Sequence, residues 1–257
     1  MTNILKADFY KLLRGKGIYI ATALLVFVIF IAAMGDSLFA INTNDGDIFA
    51  SLTGATAPFW VMSASDTLRI FLLPFIIFIA AADFSSSTVI NTLSSGESRA
   101  KYYLSKLTLS CVFTTFMVLV TIVLSTVFAT IGSGFGGEFN SDFVLRLLQM
   151  FGAQTFMYIA LTCVGVFFVF TTKNAAAVIG AFLAFCFVPT MLIAVLAAGN
   201  ESLALLFNFD MAMNMSRLAS METMATTDVA GAFALGGVYI AASTLGGMLL
   251  FKKCEVK

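Results

Sequence analysis

The chain has 257 residues, of which 60% are hydrophobic and only 11% are charged. Ordinary soluble domains carry about 25% charged residues, so this composition excludes a soluble globular protein and indicates a single all-α, polytopic membrane domain over residues 1–257. Fourteen basic and fourteen acidic residues balance, which leaves no overall field to attract nucleic acid. Histidine is absent, which removes the usual general base and the commonest metal ligand.

The first residues, 1–16, form a short basic segment with a repeating apolar pattern. The apolar side chains recur at helical spacing on one face: Leu5, Phe9, Leu12 and Leu13. Three basic side chains lie away from that face: Lys6, Lys11 and Arg14. We therefore predict an amphipathic helix that lies on the cytoplasmic membrane surface before the first span. The alternative is a simple basic flank that only orients that span.

Long apolar runs occupy most of the remaining chain. A helix needs about 20 predominantly apolar residues to cross the bilayer core. Five segments meet this requirement: Ile18 to about Met34, Leu107–Ile131, Leu147–Phe170, Ala175–Ala198 and Val229–Phe251. The first of them lacks a small-residue cleavage pattern, so we expect it to stay as a helix rather than to be removed as a signal peptide.

A sixth apolar segment, Ile70–Ala82, is too short to cross the bilayer by itself. It reaches the required length only if its helix begins near Ser65, which takes Asp66 and Arg69 into the outer end of the span. These two side chains are three residues apart on one helical face, where they are expected to neutralise each other. The sequence therefore predicts six spans.

The segment that follows the second span, residues 83–106, is long for an internal connection and has a definite order. We predict a short helix at about Thr88–Leu93, followed by a Ser-Ser-Gly turn and a charged stretch. Tyr102 and Tyr103 come next, and their amphipathic rings suit the headgroup layer. The other internal loop spans only Thr171–Asn174.

The middles of the spans carry no ionisable residue. Ion-coupled carriers and intramembrane proteases usually need one at depth, so both classes are disfavoured. Two prolines do lie within spans, Pro74 in the second and Pro189 in the fifth. Because an internal proline kinks a helix, these residues are candidate hinges, although a fixed bend is the alternative.

Basic residues are distributed unequally between the two sides of this six-span arrangement. With the amino terminus inside, 11 of the 14 basic residues are cytoplasmic and three are outside: Arg69, Arg146 and Arg217. Ten of the 14 acidic residues face outwards. Lysine and arginine favour the cytoplasmic side, so we expect both termini to be inside.

The loop at 83–106 also resembles a known pattern. Permeases of the type-two ABC exporter family carry an acidic residue and Gly-Thr after the second span, then Leu-Ser-x-Gly/Pro-x-x-Arg-x-x-Tyr/Phe-x-x-x-Lys. The corresponding residues in this chain are Asp83, Thr88, Leu93, Ser94, Gly96, Arg99, Tyr103 and Lys106. The chain departs from the pattern in two places, with Asp83 where glutamate is commoner and Ser87 where glycine is expected. In layout and length it is most similar to short Gram-positive permeases for antimicrobial or amphipathic peptides.

The resemblance implies that this loop is a coupling helix, which docks into a cleft on a separate ATPase. The residues it would use are Thr88, Asn91, Thr92, Leu93, Gly96, Glu97, Ser98 and Arg99. The chain contains no G-x-x-x-x-G-K-[ST] motif, so it binds no cofactor of its own, and ATP and magnesium are expected on the partner. The alternative is that this stretch is only a solvated loop.

The external segment 199–228 contains a methionine-rich patch: Met211, Met213, Met215, Met221 and Met224. Thioethers can bind Cu(I), but the patch has no histidine or cysteine nearby, and the resemblance implies a short re-entrant or interfacial helix at this place. The four cysteines of the chain lack C-x-x-C spacing and are interpreted as packing residues. No metal site is predicted.

Together these features favour the permease subunit of an ATP-driven exporter in a bacterial plasma membrane. The resemblance implies a pair of six-span chains, identical or not, with separate ATPase subunits and an amphipathic or antimicrobial peptide as cargo, exported or cleared from the membrane, as in bacteriocin immunity. Two other classes stay open at this point. The chain could be a non-transporting scaffold or sensor partner, or, less consistently with its spans, an ion-coupled carrier.

Overall fold

The computed structural model describes residues 2–38, 52–85, 88–94, 96, 98–219 and 226–253. Every regular element within these ranges is a helix, which confirms the all-α class. The chain starts with α1 (Thr2–Arg14) and, after Gly15, continues as α2 (Lys16–Leu38). The short helix α3 (Ala57–Ser63) precedes the second span.

Five helices are long and apolar enough to cross a membrane, as predicted: α2 over Lys16–Met34, α7 (Arg99–Ser133), α8 (Ser141–Thr172), α9 (Ala175–Gly199) and α11 (Thr226–Lys253). The helix α7 has 35 residues, a length of roughly 50 Å. Because the hydrocarbon core is about 30 Å thick, one end of α7 projects well beyond it. The third span therefore starts earlier than the apolar run at Leu107, and residues 99–106 belong to the same continuous helix.

The second span is built from several pieces. Its helix α4 (Ser65–Ile76) is followed by a π-helical turn, Ile77–Ala81, and by α5 (Ala82–Ser85). Helix α3 lies just before it, at a bend of 70°. By length and composition the sixth span is found only when this bent pair is counted as one.

The second span is irregular on both sides of Pro74. Proline has no N–H to donate and crowds the carbonyl one turn earlier, and three residues after Pro74 the helix widens into the π-turn. The backbone N–H of Ile77 is shared between the carbonyls of Leu73 and Pro74. Insertions of this kind are common at functional positions and let a helix bend.

The helix α8 forms the centre of the bundle. Buried residues make up 61% of its most apolar stretch, against 17% for the corresponding stretches of α9 and α11. It packs against α7, α9 and α11, while α2 packs on the other side of α7. The faces of α2, α7, α9 and α11 that turn away from α8 carry many exposed apolar side chains, as expected for surfaces covered by lipid.

The segment between the fifth and sixth spans folds onto the bundle. A 3₁₀ helix, Glu201–Phe209, leads into α10 (Met211–Leu218). Met211, Met215 and Leu218 are buried, so this part of the methionine patch packs in the core. Met221 and Met224 lie outside the described residues. Among the described residues, no group of three His, Cys, Asp or Glu side chains could hold a metal ion.

Candidate functional site

A cluster of charged side chains lies where α1, the second span and α7 meet. We call it the inner charge cluster, and it consists of Asp8, Lys11, Asp83, Tyr102 and Lys106. Asp83 follows the π-turn and is only 5% exposed. Its carboxylate accepts hydrogen bonds from Lys11 Nζ at 2.5 Å and from the Tyr102 hydroxyl at 2.9 Å, and it forms an ion pair with Lys106.

Lys106 is the most deeply buried charge of this cluster, with 1% exposure. Its Nζ donates to Asp8 Oδ1 at 2.7 Å and lies 5.4 Å from the centroid of the Tyr102 ring. Two acids and two bases thus neutralise one another, which a buried ion cluster requires because an unpaired buried charge is very costly. The cluster fixes α1 to both the second and the third span.

Asp8 is the least satisfied member of the inner charge cluster. Its Oδ2 atom is buried and has no hydrogen-bond partner among the described residues. Burial raises the pKa of the Asp8 carboxyl above its ordinary value, and the nearby Lys106 ammonium opposes this shift. Asp83 is therefore the main anion of the cluster, and Asp8 the subsidiary one.

The two tyrosines predicted for the headgroup layer are buried instead. Tyr102 is 1% exposed and Tyr103 is fully buried. The reason is that α7 already begins at Arg99, so both rings project from a continuous helix into the bundle. The Tyr103 ring lies 4.8 Å from that of Phe170, which in turn lies 4.8 Å from Phe251.

Tyr103 also connects α7 with the last span. Its hydroxyl donates to the carbonyl of Ser243 at 3.3 Å. A Cβ atom on Gly247 would lie 2.3 Å from the same hydroxyl oxygen, so only glycine permits this close approach of α11. The contact between Tyr103 and α11 therefore depends on a residue of each helix, the tyrosine of α7 and the glycine of α11.

The predicted coupling residues are held at both ends of their segment. Helix α6 (Thr88–Ser94) begins beside the second span, where the Thr88 hydroxyl donates to the carbonyl of Asp83 at 3.2 Å. Within α6 the Thr92 hydroxyl donates to the carbonyl of Thr88 at 2.9 Å. Asn91 and Leu93 lie on the backbone of α6, but their side chains are outside the described set, as is the whole of Glu97.

The far end of this segment is joined to the last span. Gly96 adopts a positive φ of 92°, which favours glycine at the turn. The Ser98 hydroxyl accepts from the backbone N–H of Lys101 at 3.3 Å and caps α7. Arg99 donates through one guanidinium nitrogen to the carbonyls of Phe251 and Lys252, at 3.2 and 3.3 Å. These carbonyls are at the end of α11, where a cation is favourable.

A second polar contact lies near the opposite end of the bundle. Arg69 is 3% exposed and forms an ion pair with Asp66, whose side chain is largely exposed. Arg69 also donates to the carbonyl of Cys186 at 3.1 Å and lies 5.5 Å from the centroid of the Phe187 ring. This carbonyl belongs to the turn that precedes Pro189, so the structure places the predicted pair beside one of the two predicted hinges.

The segment between the fifth and sixth spans, Glu201–Leu218, is fastened to the same region. Thr190 donates to both carboxylate oxygens of Asp210, at 3.1 and 3.0 Å, and Asp210 caps α10 by accepting from the N–H of Met213. The fully buried Gln154 on α8 donates to the carbonyl of Met215 at 2.7 Å. Side chains of α8 and α9 therefore hold this segment in place.

Sequence reasoning missed most of the inner charge cluster. The motif contains Lys106 and the polar face of α1 contains Lys11, but neither pattern indicates a contact with Asp83. The ion pairs join residues 72 and 98 positions apart, and single-sequence patterns report only near neighbours. The only local signal is that Asp8 and Lys11 are three residues apart, which places them side by side on a helix.

The fold and these contacts agree with a comparison of the sequence with protein-family models. The family described as ABC-2 family transporter protein matches residues 4–190, which is most of the chain. The matched range contains the inner charge cluster, the coupling residues and both candidate hinges. None of the curated proteins compared with the chain is similar enough to match. The chain therefore belongs to the ABC-2 family of transporter proteins.

Proposed function

We propose that this chain is the permease subunit of an ATP-driven exporter, and that residues 88–99 pass the movement of a separate ATPase into the spans. Membership of the ABC-2 family supports a membrane transport subunit that works with an ATPase. The observation that carries the finer proposal is the double attachment of this segment, to Asp83 at one end and to the end of α11 at the other. A displacement of α6 would therefore act on two spans at once.

The second span is the element best suited to respond. Asp83 lies two residues after the π-turn Ile77–Ala81, and Pro74 precedes that turn. The π-turn and the proline both weaken the regular helical hydrogen bonding, so the span bends there at lower cost than a regular helix does. The inner charge cluster would carry the same displacement to α1 and α7, because Asp83 is bonded to Lys11, Lys106 and Tyr102.

The cargo is proposed to be an amphipathic or antimicrobial peptide that leaves the membrane through a pair of such chains, identical or not. The spans support an apolar path, since the described buried charges lie near the ends of the helices and each has a hydrogen-bond or ion-pair partner. Both termini would be cytoplasmic in a bacterial plasma membrane, with α1 on the inner surface, in agreement with the distribution of lysine and arginine. ATP and magnesium would be bound by the partner ATPase.

A test of this function starts from the chain expressed together with candidate ABC-type ATPase subunits. We expect the two to co-purify, and we expect the chain to stimulate ATP hydrolysis in proteoliposomes. Arg99→Ala should lower the stimulated rate while the complex still assembles, whereas Arg146→Ala at the opposite end of the bundle should leave the rate unchanged. Failure to recover any ATPase, with none stimulated, would contradict the proposal.

Two further assays, the resistance of cells to the peptide and peptide movement in vesicles, separate the alternative classes. A non-transporting scaffold or sensor partner would bind an ATPase without moving peptide, so that Arg99→Ala would leave peptide resistance unchanged. An ion-coupled carrier would move peptide in ATP-free vesicles when an ion gradient is applied. For the proposed exporter, Arg99→Ala should lower the resistance to the peptide, and peptide should move in vesicles only when ATP is present.

A further inference from the structure

Four phenylalanines form a connected cluster at the end of the bundle where α8 begins. We call them the outer aromatic patch: Phe59, Phe135, Phe139 and Phe143. The rings of Phe135 and Phe143 lie 5.2 Å apart, and the ring of Phe139 lies 5.7 and 5.9 Å from these two. Phe59 of α3 joins the same group, with its ring 6.4 Å from that of Phe143. Because Phe139 is 73% exposed, the patch presents apolar surface to its surroundings.

The loop that carries this patch is held in a fixed shape. The backbone N–H of Ala55 donates to the carbonyl of Phe135 at 2.9 Å. Gly136 has a positive φ of 69° and lies directly against the side chain of Thr53. The side chain of Asn140 accepts from a backbone N–H at 2.9 Å and caps the start of α8. The rings are therefore preorganised, which lowers the entropy that is lost when a partner binds.

The length of α8 places this patch beyond the hydrocarbon core of the bilayer. Helix α8 has 32 residues, a length of about 48 Å, or about 45 Å along the membrane normal at a tilt of about 20°. The core is about 30 Å thick, and each headgroup layer adds about 5–8 Å. At its far end α8 is joined by only two residues to α9, which is apolar from Ala175 onwards, so that end stays near the edge of the core. The excess length therefore lies at the start of α8, where an exposed apolar patch marks a binding surface.

Two acidic side chains flank the patch. Glu138 and Asp142 are both exposed, and within the described part of the chain neither of them forms an ion pair. Arg146 follows Asp142 by one turn on the side of the bilayer, so the two acids are the outermost charges of this region. In the proposed orientation, 10 of the 14 acidic residues but only three of the 14 basic residues lie on this side. The resulting field attracts cations.

We propose that the outer aromatic patch, together with Glu138 and Asp142, binds a cationic amphipathic peptide. The apolar face of the peptide packs on Phe139, and its lysine or arginine side chains pair with the two acids. Anionic lipid headgroups are repelled by these acids, and so is a second copy of the chain, which would bring the same acids to a symmetric contact. The inference rests on the proposed function and specifies that its cargo is cationic.

Fluorescence anisotropy tests the proposal, with the purified full chain in nanodiscs of zwitterionic lipid and no ATPase present. The probe is a labelled synthetic amphipathic helix of leucine and lysine, and the matched probe carries glutamate in place of every lysine. Empty nanodiscs give the lipid background. We expect the chain to bind the lysine peptide in preference to the glutamate peptide. Phe139→Ala should weaken binding about ten-fold, because much of one phenylalanine is no longer buried by the peptide, whereas Phe116→Ala, exposed on α7 within the membrane, should not.

The role of the acids has a separate test. Asp142→Asn should weaken binding of the lysine peptide about two- to three-fold, the usual weight of one exposed ion pair. Added salt should remove this difference, because it screens exposed charges. Asp228→Asn is the control, since it removes an exposed acid at the start of α11 on the same side, and it should leave the affinity unchanged. Asp142→Asn alters only an exposed side chain, so it remains informative even if the Phe139 variant folds poorly.

Four results would overturn the proposal. Equal binding of the two peptides would remove the role of the acids, and unchanged affinity in Phe139→Ala would place the peptide elsewhere. Quenching of Phe139→Trp by brominated lipid, in a Trp60→Phe background, would show that the patch lies within the bilayer. A dimer lost only in Phe139→Ala would show that the patch is an interface between copies.

The proposed function and this binding surface can fail independently. A chain that binds the lysine peptide as described but stimulates no ATPase would support the surface and contradict the exporter. A chain that stimulates an ATPase but binds neither peptide would support the exporter and contradict the surface.

Discussion

Replacement of Asp83 by asparagine tests the inner charge cluster most sharply. The side chain keeps its shape and can still accept from Tyr102, but it no longer balances Lys106, which is 1% exposed. Lys11 is half exposed and can turn to water, so the cost falls mainly on Lys106. Removal of one partner from a buried ion pair costs about 3–5 kcal/mol. Because Asp8 still pairs with Lys106, we expect the free energy of unfolding to fall by the lower end of this range, about 3 kcal/mol.

The matching change at Asp8 is expected to cost much less. Asp8 accepts one hydrogen bond from Lys106 and leaves its other oxygen without a partner among the described residues. Burial raises its pKa, so the folded chain already disfavours the charged form relative to the unfolded chain, and asparagine resembles the neutral acid. A loss of about 1 kcal/mol is expected, typical of one hydrogen bond.

The assay is thermal unfolding of the detergent-solubilised chain. At about 2–4 °C per kcal/mol for a chain of this size, Asp83→Asn should lower the apparent Tm by roughly 6–12 °C and Asp8→Asn by roughly 2–4 °C. Asp142→Asn, at the exposed start of α8, serves as the control and should leave the Tm almost unchanged. The reasoning is refuted if Asp83→Asn behaves like this control, or if Asp8→Asn is the more damaging of the two.

Two further predictions concern the contacts of the last span and of the outer end. Gly247→Ala should destabilise the chain by about 1–3 kcal/mol, because its new methyl overlaps the Tyr103 hydroxyl. Gly237→Ala is the control and should leave the stability unchanged, because nothing lies within 4 Å of the added methyl. Equal unfolding midpoints for the two variants would contradict the close contact. Arg69→Ala should loosen the turn before Pro189. The thiol of Cys186, a residue only 5% exposed in the unchanged chain, should then react faster with a membrane-permeant maleimide. An unchanged labelling rate would show that Arg69 does not hold that turn.

The spans could be predicted from the sequence because the bilayer imposes one length on every apolar helix. Ile70–Ala82 is too short for that length, and this alone required a helix start near Ser65, where the structure begins α4. The π-turn after Pro74 could not be predicted, because whether a helix widens by one residue depends on how its side chains pack. The bend of 70° between α3 and the second span has no sequence signal of its own.

The contacts of the candidate site were less predictable than its location. The motif located residues 83–106, but it did not show that Arg99 reaches the end of α11, which is 152 positions away in sequence. Tyr102 and Tyr103 were expected at the headgroup layer because tyrosine is common there, and the early start of α7 buries them instead. The position of the helix start decided the environment of the two tyrosines, and helix boundaries are the least accurately predicted feature of a sequence.

The most direct test of the central claim asks whether α6 touches the ATPase. A photoreactive amino acid would replace Ser94, which is exposed on α6, and the control would carry it at Phe139, which is exposed before α8. In the assembled complex, we expect irradiation to join the chain to the ATPase from position 94 and not from position 139. A co-purifying ATPase that is never captured from position 94, or is captured only from position 139, would contradict the proposed coupling.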